Sequence, residues 1–128
     1  MRKYIVISAI AIIGVCIIFG INYNKKISNY KEKVNNIVIE DVNLDSKKDG
    51  KYIGEFDADI ISAKVEVDIK NKKINSINII EHKNERGTPA EVIPQKVVDA
   101  QSLKVDVVSG ATNSSKVILK AIENALTK

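Results

Sequence analysis

Apolar and polar residues alternate with period two through the middle of this chain and recur with period near 3.6 at its end. Ile61, Ala63, Val65, Val67 and Ile69 alternate with Ser62, Lys64, Glu66 and Asp68. That pattern predicts a strand with one buried and one wet face, as in an antiparallel sheet covered on one side. Tyr52, Gly54 and Phe56 share one face of a preceding strand. Lys70-Asn71-Lys72-Lys73 predicts a hairpin turn, with Asn71 suited to positive φ. The return strand runs from Ile74 to about Glu81. Its apolar parity shifts between Ile74 and Ile77, which calls for a bulge. Val117, Ile118, Ala121, Ile122, Ala125 and Leu126 form one stripe of a final helix that begins near Ser114.

Between these elements the signals are shorter. Ile37-Val38-Ile39 reads as a first edge strand, and Asp45 to Gly50 as a turn. Asp57-Ala58-Asp59 reads as a solvated turn rather than a cation site. Thr88-Pro89-Ala90-Glu91 has the form of a capping box with proline at the first helical position. The helix it opens is expected to reach about Ser102, with an irregular start where Pro94 removes a backbone bond. Leu103 to Val108 returns toward the sheet as an extended piece. The fold class is therefore α+β, a small antiparallel sheet packed against two helices.

A different pattern occupies the N-terminus. Tyr4 to Ile21 is eighteen residues without a charge. As a helix it would span about 27 Å, close to a bilayer core of about 30 Å. A signal peptide's apolar region is shorter, about 7–15 residues, and ends in small residues spaced for cleavage. No such pair is present, and Val15 before Cys16 is too large for a lipoprotein cleavage site. The reading is an uncleaved single-pass anchor over residues 1–21, a polar stalk over 22–36 and a folded domain over 37–128. Lysines and arginines flank the span on both sides, so charge does not orient it.

Composition narrows the function. The chain has 128 residues and a net charge of +4, but residues 1–48 hold eight Lys/Arg against four Asp/Glu, while residues 49–128 hold twelve of each. A formally neutral domain lacks the one-signed patch of a nucleic-acid surface. One cysteine, Cys16, sits in the apolar run, and one histidine, His82, lies in the domain. Neither a disulfide framework nor a zinc site has the residues it needs.

The chemistry concentrates at Asp106-Val107-Val108-Ser109-Gly110-Ala111-Thr112-Asn113-Ser114-Ser115. It is a run of small, hydroxyl-bearing residues where extended chain gives way to helix. The first amides of a helix have no internal partner and its dipole favours an anion there, so the junction is a candidate phosphate seat. Lys116 in the first turn is unfavourable to a bare dipole and better placed beside a docked anion.

Asp106, Ser109-Gly110-Ala111-Thr112 and the serines at 114 and 115 resemble the flavinylation motif of the FMN-binding domain family. That family includes flavin subunits of sodium-pumping and ferredoxin-oxidising membrane complexes. Asp49-Gly50-Lys51-Tyr52-Ile53-Gly54 resembles the family's opening strand, and the likeness extends over roughly residues 37–128. The resemblance implies an extracytoplasmic domain at the cell membrane. It implies FMN esterified through its phosphate to Thr112 by a flavin transferase. Ser109, Gly110, Ala111 and Ser114 would surround the phosphate, and Asp106 would fix the loop by accepting its amides. The loop of His82, with Asn84 and Glu85, would border the flavin, His82 itself being a surface or strand-end residue.

The implied function is electron carriage to redox partner proteins or a quinone-linked complex, with no catalytic residues for a substrate of its own. Tyr52 and Phe56 are the domain's only aromatics. They are poor material for a deep stacking pocket, whereas a covalent tether replaces affinity with effective concentration. The competing reading is a non-redox adaptor of the same fold that is never flavinylated. A serine hydrolase is disfavoured, because the chain has no Gly-x-Ser-x-Gly elbow and a single histidine.

Overall fold

The computed structural model describes residues 1–127 and has the α+β architecture its periodicities predict. A long helix α1 (Arg2–Asn35) precedes strands β1 (Gly50–Asp57), β2 (Ser62–Lys70) and β3 (Lys73–Lys83). A 3₁₀ turn (Thr88–Val92), helix α2 (Ile93–Ala100) and helix α3 (Thr112–Thr127) follow. The strands form one antiparallel sheet in the order β1-β2-β3.

The core lies on one face of that sheet. Ala63, Val65, Val67 and Ile69 of β2 are buried, and so is the predicted stripe of α3. Helix α3 crosses β1 and β2, while α2 packs against β3. Gly54 lets α3 come this close: a Cβ there would overlap the carbonyl oxygen of Ala121 and the amide nitrogen of Ala125. The β2–β3 hairpin turns on Asn71 and Lys72, at φ 51° and 61°, the paired positive values that suit a twisted two-residue hairpin. The expected bulge sits at Asn75, between the pairs Asp68–Ser76 and Ile69–Ile74, and a second, unforeseen, skips Ile80. Gln101 supports the first bulge by accepting from the Ile74 amide and donating to its carbonyl, both at 2.8 Å.

Three local expectations are corrected. Ile37 to Ile39 is not a strand; Ile37 and Ile39 pack against the core from an irregular segment. Thr88 makes no capping bond, because Gly87 is the N-cap and the Glu91 carboxylate is drawn to His82 instead. Asp59 is not simply solvated: its carboxylate pairs with Lys33 Nζ at 3.2 Å.

The irregular segment is held by Asp41. Its carboxylate accepts from Ser102 Oγ at 2.6 Å and from the Leu103 amide at 3.1 Å. The Ser102 hydrogen bond holds the Asp41 carboxyl below the usual carboxylate range; burial opposes it, and the amides of Leu103 and Val42 and the charge of Lys104 add to the lowering.

Helix α1 runs unbroken through the apolar span and the polar stretch after it. It is long and apolar enough to cross a membrane, with a mean hydropathy of 2.8 over its apolar window. A signal sequence shares that form. The side chains of this span are exposed. The last turns of α1 dock on the domain: Val34 is buried, Lys33 meets Asp59, and Asn113 Nδ2 donates to the Tyr30 hydroxyl at 2.9 Å.

Candidate functional site

The loop before α3 is built by one serine. Ser115 is fully buried; its hydroxyl donates to the Ala111 carbonyl at 2.7 Å and accepts from the Val108 amide at 3.0 Å. The Ala111 amide closes the turn onto the Val108 carbonyl at 2.9 Å. Gly110 lies at φ 81° with open space where a Cβ would stand, so the conformation, not crowding, calls for glycine. Ser115 N–H bonds the Ala111 carbonyl, which leaves the amides of Thr112, Asn113 and Ser114 as the orphans of the helix start.

Those residues open onto a cleft of ≈ 500 Å³, within the usual size of small-molecule sites. Gly110, Ala111, Thr112, Asn113 and Ser114 form one side of it. Glu85, Arg86 and Gly87 form its rim, and Ile60 and Ile61 contribute apolar surface. The remaining wall comes from α1, through Tyr23, Ile27 and Tyr30.

The four hydroxyls of the motif have different surroundings. Ser114 is buried, and its oxygen lies 3.1 Å from His82 Nε2. Ser115 is committed to the loop, as above. Ser109 is exposed but lies outside the cleft. Thr112 is exposed, lines the cleft and makes no side-chain hydrogen bond among the described residues. Of the four hydroxyls it is the one both exposed and in the cleft.

His82 departs from its expected place. It does end a strand, but its side chain is only 1% exposed. Its Nδ1 lies 3.1 Å from Glu91 Oε1. The tautomer assigned from these partners puts the proton on Nδ1, donating to Glu91, so that Nε2 accepts from the Ser114 hydroxyl. Serine, histidine and carboxylate thus stand in the order of a hydrolytic triad, an arrangement the sequence reading set aside. Ser114 Oγ, however, is packed against Gly87 and occupies the space a Cβ there would need. The chain of bonds ties the helix start to the end of β3.

Asp106 and Glu85 are split by the structure. Glu85 borders the cleft as expected. Asp106 lies outside it, and its exposed carboxylate accepts no loop amide; the loop is fixed by Ser115 instead. Lys116 is half-buried and does not line the cleft.

Arg86 was missed in the sequence, as were the α1 residues. It stands at the cleft rim with no ion pair among the described residues. Orphan amides, an unpaired guanidinium and an open glycine together suit a phosphate group. The adjoining cleft, with its apolar and aromatic surface, suits a planar heteroaromatic ring.

Residues 58–127, more than half of the chain, match the FMN-binding domain, and the chain belongs to that family. The match begins after the strand at 49–54 that resembles the family's opening. A stretch of 65 residues is 42% identical to the NADH:acrylate oxidoreductase of Vibrio harveyi, covering 48% of this chain and 6% of that protein. The chain therefore corresponds to a small part of that relative.

Proposed function

We propose that this domain carries FMN esterified through its phosphate to Thr112 and serves as a membrane-anchored, extracytoplasmic electron carrier. The observation that carries the assignment is the availability of Thr112 in the cleft while Ser114 and Ser115 are held in hydrogen bonds. Attachment from FAD would form a bond from the Thr112 oxygen to the flavin-side phosphorus and break the pyrophosphate link. AMP leaves, and the hydroxyl proton passes to a base of the flavin transferase. The amides of Thr112 to Ser114 and the Arg86 guanidinium then hold the phosphate, while the Ser115 staple and the His82–Ser114 bond keep the loop in place. Bound FMN supplies reversible acceptance and donation of electrons, chemistry that belongs to the cofactor.

Two features support the carrier reading. Family membership implies FMN, and the relative from Vibrio harveyi is named as an oxidoreductase. The apolar half of α1 supplies the anchor, and the open cleft leaves the ring accessible to redox partner proteins or a quinone-linked complex. The test is export of the full chain from cells that also make a flavin transferase. The protein should turn yellow and keep its colour through denaturation, and Thr112→Val should be folded and colourless. A folded wild-type chain that stays colourless beside an active transferase supports the adaptor reading instead.

A further inference from the structure

Tyr23, Ile27, Tyr30 and Val34 recur at spacings of four, three and four residues, which places them on one face of α1. Every other position from Asn22 to Asn36 is polar or charged. The stripe faces the domain: Val34 is buried in the core, and the other three line the same cleft as the Thr112 loop. Tyr30 is tied to that loop, because its hydroxyl accepts from Asn113 Nδ2 at 2.9 Å. These residues lie outside the family match at 58–127, so membership assigns them nothing.

The aromatics within the domain do not serve the cleft. Tyr52 and Phe56 pack against the core, and neither lines it. The aromatic surface beside Thr112 therefore comes from the helix that leads into the apolar span. On the reading that Thr112 carries FMN, we infer that Tyr23 and Tyr30 form the wall against which the isoalloxazine ring rests. Offset contact between aromatic planes and the apolar side chain of Ile27 supply the affinity for the ring that the domain lacks. Tyr23 lies two positions beyond Ile21, the last residue of the apolar run, so the wall begins where that run ends.

The wall has an optical signature. A phenol touching an oxidised flavin donates an electron to its excited state and recovers it on return to the ground state, so emission is quenched and nothing is consumed. The full-length chain is flavinylated with transferase and FAD in detergent, and its emission is compared before and after denaturation. Denaturation should raise the wild-type emission several-fold. In the Tyr23→Leu/Tyr30→Leu double variant, which keeps the apolar stripe, native emission should already stand near the denatured value. Tyr30→Trp should remain quenched, since indole stacks and donates as phenol does. Equal native emission from wild type and double variant, at equal covalent flavin, overturns the wall while leaving the attachment reading intact. A wild-type chain with no covalent flavin after denaturation overturns the attachment to Thr112, and the wall with it.

Discussion

Ser114 Oγ and His82 Nε2 meet at 3.1 Å beneath the cleft floor, joining the first turn of α3 to the end of β3. The bond spans 32 positions of sequence and is almost wholly shielded from water. Thr112, two residues before Ser114, is presented to solvent because Ser114 is not. The histidine is thus a positioning residue for a loop it does not enter.

His82→Ala should leave the Ser114 hydroxyl without its acceptor and lower stability by about 1–3 kcal/mol. For a domain of this size each kcal/mol lowers Tm by about 4–8 °C. Ser114→Ala should cost less, and the double variant should cost less than the sum of the two, since the pair is lost once. Strict additivity in thermal melts would show that the two residues do not act together.

Gly54→Ala should cost about 1–3 kcal/mol, the range for overpacking a filled core. The new methyl meets the backbone of α3 at Ala121 and Ala125, which cannot turn aside as a side chain would. Gly110→Ala should be costly for a different reason, backbone strain at φ 81°, although its Cβ meets nothing. Denaturant midpoints of the two variants measure both effects. A Gly54→Ala domain as stable as the parent would place α3 farther from β1 than described.

Much of this architecture was legible because burial imposes a period. The alternation from Ile61 to Ile69 and the stripe from Val117 to Leu126 name their buried faces directly. Signals that depend on a partner were not legible. Thr88 and Glu91 have the spacing of a capping box, but Gly87 takes the N-cap and His82 takes Glu91, and only the fold brings them together. Asp106 looked like the loop's anchor, yet Ser115 holds it, because the hydroxyl lies inside the turn and the carboxylate points to water. The α1 stripe had a signal, four apolar or aromatic residues at helical spacing, hidden by the polar composition around it. Thr112 was singled out among four hydroxyls by its place in the motif, whereas its exposure in the cleft depends on hydrogen bonds of Ser114 and Ser115 that no spacing reveals.

Asp41 gives the stability a defined response to acid. Its native carboxyl titrates below its unfolded value, so the unfolded chain binds the proton more readily as pH falls. Its contribution is full above the ordinary carboxylate range and is lost as pH drops through the lowered native value. Asp41→Asn should therefore destabilise the domain near neutral pH, and the gap from the parent should narrow in acid. Melting curves across that range check the sign, and a gap that widens in acid would contradict it.

Ile122 tests the core beneath the site. It is fully buried where α3 covers the sheet. Ile122→Asp should unfold the domain, since an unpaired buried charge costs several kcal/mol, a large share of a small domain's stability. Circular dichroism would show the loss of the sheet, and a parent-like melt would mean that α3 does not pack as described.

The central claim is that Thr112, and no other hydroxyl of the motif, carries the flavin. Mass spectrometric mapping of the flavinylated chain, with fragmentation that resolves Ser109, Thr112, Ser114 and Ser115, measures it directly. The account predicts one FMN per chain on Thr112, with unmodified serines on either side. FMN found on Ser109, Ser114 or Ser115 while Thr112 remains free would contradict it.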